Sequence, residues 1–201
     1  MKDNFTMYSQ EYEFTAVHEA GHTVYVEQFY PAPTGLFLPP LETLPPRTTQ
    51  IEIWYDGENE RNDGWTVCSE NGLSDEQLLF SALSGRVAEM MARTEGNWDV
   101  PAMQKSILSG DFDHTLDVEK AKALLAKLIP DNQNNEQEQL LAETIFQVFS
   151  FLKKHWGLVM LVAADLLSGY DKDTRKAMIT YNNLSPETKA QLKELKKEPL
   201  Q

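Results

Sequence analysis

Apolar positions along the chain change their period several times, and each change marks an element. From Tyr12 to Tyr30, the residues Phe14, Val17, Gly21, Val24, Tyr25, Gln28 and Phe29 keep a helical rhythm that Pro31 stops, which predicts a helix. Thr48 to Tyr55 alternates instead, with Ile51, Ile53 and Tyr55 on one face. A polar turn from Asp56 to Gly64 then leads into Trp65 and Val67, so a β-hairpin is expected. Ser74 and Gln77 form a capping box that opens a helix bearing Leu78, Leu79, Ala82, Leu83, Val87, Ala88 and Met91, with Gly96 as its stop.

Beyond a connector bearing Gly, Asn and Asp, a further helix is predicted from near Asp113 through Leu116, Val118, Ala121, Leu124, Leu125 and Leu128 to Pro130. Asp131 to Glu138 is a polar linker. Leu140, Leu141, Ile145, Phe149, Leu152, Trp156, Val159, Ala163 and Leu166 trace one long amphipathic helix that Gly169 ends. From Ser185 the chain reads as a capped, charged surface helix. Residues 31–46 hold Pro31, Pro33, Pro39, Pro40, Pro45 and Pro46, six of the ten prolines, and so predict an extended loop. Its Leu36, Phe37, Leu38, Leu41 and Leu44 are apolar enough to pack over the domain or to wall a groove.

These elements predict a predominantly helical α+β fold with a small β-hairpin next to the first helix. With 201 residues, one domain is expected, its core at about 10–168 and a helical tail at 169–201. A net charge of -13 disfavours nucleic acid and anionic membrane surfaces as partners. No run of about 18 apolar residues is present and the N-terminus lacks an apolar signal core, so a soluble cytoplasmic protein without membrane insertion is the expectation. The single Cys68 rules out an intramolecular disulfide and a thiolate cluster for a metal.

Candidate chemistry enters at His18-Glu19-Ala20-Gly21-His22. Residues four apart on a helix lie one above the other, so both imidazoles can reach one ion while Glu19 points at its open coordination position. Zinc lowers the pKa of a bound water to about 7, and a neighbouring carboxylate can take that water's proton and pass it on to a leaving amine. Gly21 inside the helix costs about 1 kcal/mol relative to alanine, so another backbone segment or the metal site needs the space.

A catalytic zinc usually takes three protein ligands. A third histidine six residues beyond His22, as in metzincins, is excluded because that position is Gln28. Glu89 is one candidate, and Asp111, Asp113, His114 and Asp117 crowd the start of a later helix as others. Glu89 also stands three residues from Arg86, which fits a helix-surface pair or a carboxylate holding a ligand histidine. His155, beside Trp156, reads as structural.

Three segments resemble the protease domain of the FtsH-type ATP-dependent zinc proteases: VHEAGHTV at Val17 to Val24, LSGRVAEMM at Leu83 to Met91, and SGDFDHTLDVEKAKALL at Ser109 to Leu125. The resemblance implies His18 and His22 as zinc ligands, Glu19 as general base, and Asp117, followed by Val118 and Ala121, as third ligand. Counting from Gly110 lands on His114, so Asp113 and His114 remain alternatives. An FtsH-protease-domain-like helical core and hydrolysis of peptide or unfolded protein substrates are implied with it. The 201 residues contain no Gly-rich phosphate loop, so ATP dependence does not carry over, leaving a monomer, a homo-oligomer or a separate ATPase partner open. A catalytically silent binding or adaptor protein on a protease-like scaffold, and a zinc hydrolase for a non-peptide substrate, are the rival expectations.

Overall fold

The computed structural model describes residues 5–29, 45–56, 61–94, 99–109, 115–130 and 134–197. The chain folds as a mostly helical α+β protein with a four-stranded antiparallel sheet. Helix α1 (Phe5–Glu27) is followed by β1 (Thr48–Asp56), β2 (Arg61–Cys68), α2 (Asp75–Arg93), α3 (Val100–Ser109), α4 (Thr115–Leu128), α5 (Asn134–Lys154) and α6 (Trp156–Ser168). Strands β3 (Tyr170–Asp171) and β4 (Lys176–Thr180), a 3₁₀ turn at Tyr181–Asn183 and α7 (Pro186–Leu195) complete the described order.

Helix α1 is the centre of the fold. Every residue from Thr15 to Glu27 is buried, polar ones included, because α2, α6 and the hairpin pack around it. Its closest neighbour is α2. A Cβ on Gly21 would lie 2.6 Å from the Cβ of Ala88 and 2.7 Å from the carbonyl of Ser84, so Gly21 makes room for the backbone of α2. The C-terminal end of α1 is held by Arg47, whose Nε donates to the Phe29 carbonyl at 2.5 Å.

The capping box forms: Gln77 N donates to Ser74 Oγ at 3.2 Å while Ser74 N donates to Gln77 Oε1 at 2.9 Å. Such a cap stabilises a helix start by about 1 kcal/mol and here fixes where α2 begins. The last turn of α2 ends at Arg93, short of Gly96.

Several elements differ from expectation. Helix α3 occupies part of the predicted connector, with Pro101 in its first turn, where proline is tolerated, and with Met103 and Ile107 buried. The predicted single long helix is two, α5 and α6, meeting at a 76° bend around His155. That bend lets α5 lie on α2 and α6 lie on α1, where one straight helix would have left the domain. Among the described residues, no single helix is long and apolar enough to cross a membrane.

The hairpin is part of a larger sheet. Strand order is β2-β1-β4-β3, with Gln50 opposite Thr180 and Ile53 opposite both Gly64 and Ala177. Ile51, Ile53, Ala177 and Ile179 form its buried face. The segment after residue 169, read as a tail, thus supplies a strand to the middle of the sheet. Helix α7 is capped by Ser185 as expected, yet Leu192 and Leu195 are buried, and Lys196 Nζ reaches buried Glu27 Oε2 at 2.8 Å. The loop predicted at 31–46 lies outside the described residues apart from Pro45 and Pro46.

Candidate metal centre

Three elements bring the site together: α1 carries His18, Glu19 and His22, α4 carries Asp117, and β2 closes one side. Nε2 of His18 and Nε2 of His22 are 3.1 Å apart, and each is 3.0 Å from Oδ2 of Asp117. His18 is 1% exposed and His22 9%, so these atoms face each other away from bulk solvent.

Proton bookkeeping shows what this triangle needs. Nδ1 of His22 lies 2.8 Å from the carbonyl oxygen of Ser81, which can only accept, so that nitrogen carries a hydrogen. Nδ1 of His18 lies 3.2 Å from Oε2 of Glu89, another acceptor. With those hydrogens on Nδ1, both imidazoles turn Nε2 toward the Asp117 carboxylate, and three such atoms within about 3 Å of one another need either a shared proton or a bound cation between them. A tetrahedral zinc with ligands at about 2.0 Å holds them about 3.3 Å apart, within a few tenths of an ångström of this triangle. The buried His18-His22-Asp117 group could hold a metal ion.

The charge states agree with this. Burial alone would depress the His18 imidazole, but hydrogen bonds to Asp117 and Glu89 outweigh it and push its pKa up to about 10, so without a metal a proton takes the cation's place. Burial would raise Asp117, but the facing imidazoles of His22 and His18 hold its carboxyl well below the usual range.

Room for the two rings comes from Gly85 on α2. A Cβ there would lie 2.3 Å from Nε2 of His22 and 2.6 Å from Nε2 of His18. Behind the rings, Glu89 is 2.7 Å from Arg86 and 2.8 Å from Arg93, all in one ion network whose far end is Glu11. Glu89 does pair with Arg86, but both are 2% exposed, so the pair is buried and not on the helix surface as expected; the same carboxylate also meets Nδ1 of His18. It faces Nδ1 of His18, on the side away from the triangle, and so does not complete the ligand set. Asp111, Asp113 and His114 lie outside the described residues.

Glu19 is buried beside the triangle, and burial pushes its carboxyl up while the neighbouring imidazoles oppose that shift. Oγ1 of Thr66 donates to Oε2 of Glu19 at 2.8 Å. These residues line a cleft of about 220 Å³, with Asp63, Gly64, Trp65, Cys68, Glu70, Leu116 and Lys120 along its walls. Strand β2 is the sheet's edge and forms one wall, so its outer side has no strand partner among the described residues. Gly64 and Thr66 escaped the sequence reading because the turn was placed as far as Gly64; the signal was their spacing of two, which puts both on one face of a strand.

No family model matches the chain, and no curated protein matches it.

Proposed function

We propose that this chain is a zinc-dependent metallopeptidase with the ligand set implied by its resemblance to FtsH-type zinc proteases. The observation that carries the reading is the convergence of Nε2 of His18, Nε2 of His22 and Oδ2 of Asp117 beside a buried glutamate in an open cleft. A purely structural metal site would normally be closed by a fourth protein ligand, and it would need no carboxylate next to it.

His18, His22 and Asp117 would hold the ion. When bound, zinc would supply Lewis-acid polarisation of a carbonyl oxygen and a lowered pKa for water. Glu19 accepts the proton of the attacking water at its carboxylate and returns it to the amine nitrogen as the C–N bond breaks. Glu89 and the Ser81 carbonyl keep the hydrogens of both imidazoles on Nδ1. An extended peptide suits the cleft, because the edge of β2, which pairs with no other strand on its outer side among the described residues, offers backbone N–H and C=O groups for it to pair with. Leu116, 79% exposed at the rim, offers apolar contact to the same peptide.

Hydrolysis of unfolded casein, with and without chelator, tests this function. Activity that chelator abolishes, zinc restores and Glu19→Gln removes is the expected result; a Glu19→Gln protein that keeps zinc and full turnover contradicts it.

A further inference from the structure

Strand β2 builds a cradle for the Glu19 carboxylate, and nothing in the metal-ligand set requires it. Gly64 and Thr66, two apart on β2, lie against the two oxygens of that carboxylate. A Cβ at position 64 would lie 2.9 Å from Oε1 of Glu19, 3.0 Å from its Cγ and 2.9 Å from Cγ2 of Ile53, so glycine leaves the space that the carboxylate shares with Ile53. Oγ1 of Thr66 lies 2.8 Å from Oε2 and 3.1 Å from the Glu19 backbone oxygen. That backbone oxygen already accepts from Oγ1 of Thr23 at 3.1 Å, so the single hydrogen of Thr66 goes to the shorter, charge-assisted contact.

We infer that Gly64 and Thr66 are positioning residues for the general base: glycine by the room it leaves, threonine by its hydroxyl. A glutamate side chain has three rotatable bonds, and a buried one next to two imidazoles has several polar directions in which to turn. Thr66 selects the one that holds Oε2 on β2, with Oε1 in the space that Gly64 leaves. The same strand that presents its edge to the cleft thus fixes the distance between base and substrate. The kinetic consequence rests on the metallopeptidase reading; the position of the carboxylate does not.

Thr66→Val keeps the shape and removes the hydroxyl, while Thr66→Ser restores it. With zinc loaded and casein as substrate, Thr66→Val should lower kcat by about tenfold to a hundredfold with KM and zinc content unchanged, and Thr66→Ser should recover it. Crystal structures of the wild type and Thr66→Val give the second readout: the Glu19 carboxylate should turn away from β2 in the variant. An unmoved carboxylate, or an unchanged kcat, overturns the inference. If the wild type hydrolyses nothing, the metallopeptidase reading fails, and the two crystal structures still decide whether Thr66 sets the position of Glu19. Gly64→Ala provides an independent check: its methyl meets both Ile53 and the carboxylate, and a Glu19 carboxylate left unmoved in that variant overturns the role of Gly64.

Discussion

Gly85 lies directly against His22: a Cβ on this glycine would sit 2.3 Å from Nε2, the atom His22 turns toward Asp117. No side chain fits there without moving a ring. Gly85→Ala should therefore weaken zinc binding at least tenfold, measured by competition with a chelating dye. Gly21→Ala meets the Ala88 side chain and the Ser84 carbonyl instead, so it should cost about 1–3 kcal/mol of stability through overpacking. Thermal unfolding of the two zinc-free proteins gives the packing cost of each, and only Gly85→Ala should lose zinc affinity beyond it.

Glu89→Gln keeps the shape behind His18 and removes the charge that its Nδ1–H and both Arg86 and Arg93 meet. Zinc affinity should fall by about 10–100-fold, as for other partners of ligand histidines. Unaltered affinity would mean that Glu89 serves only its arginines.

The metal-free protein should respond to pH in a definite direction. His18 has its pKa raised from 6.5 to about 10, so the stability its proton contributes is complete below 6.5 and is lost as pH rises toward 10. Asp117 is held below 3.8, so its contribution disappears only in acid. The melting temperature in the presence of chelator should fall between pH 6.5 and 10. A zinc ion bound there would displace that proton, so its affinity should rise over the same interval. A metal-free melting temperature that climbs over this range would oppose the assignment.

Cys68 lines the cleft and is half-buried, and burial, then Glu70, push its thiol up to about 11. At pH 8 it should react with iodoacetamide about a hundredfold more slowly than an ordinary thiol, with the rate climbing about tenfold per pH unit until 11. Fast alkylation at neutral pH would show a thiolate and contradict the upward shift that burial imposes on Cys68.

How much of this was legible in the chain depends on how local each signal is. Helix α1 and the cap of α2 were readable because Pro31, Ser74 and Gln77 act within a few residues of themselves. The α5–α6 break was not, since no proline marks His155 and the apolar rhythm from Leu140 to Leu166 continues through the bend. Strand β4 was hidden for another reason: Ile179 pairs with Ile51 across more than half the chain, and a five-residue strand carries little pattern of its own. Asp117 stands between these cases. Its position in the first turn of a helix was local and visible, but its place opposite His18 and His22 depends on how α4 docks against α2.

The most direct measurement is the crystal structure of the protein grown with zinc, with anomalous data collected across the zinc absorption edge. A single strong peak about 2.0–2.2 Å from Nε2 of His18, Nε2 of His22 and Oδ2 of Asp117, with a position left for water, is the expected result. A peak ligated by Glu89, or no peak among these three side chains, would contradict the account.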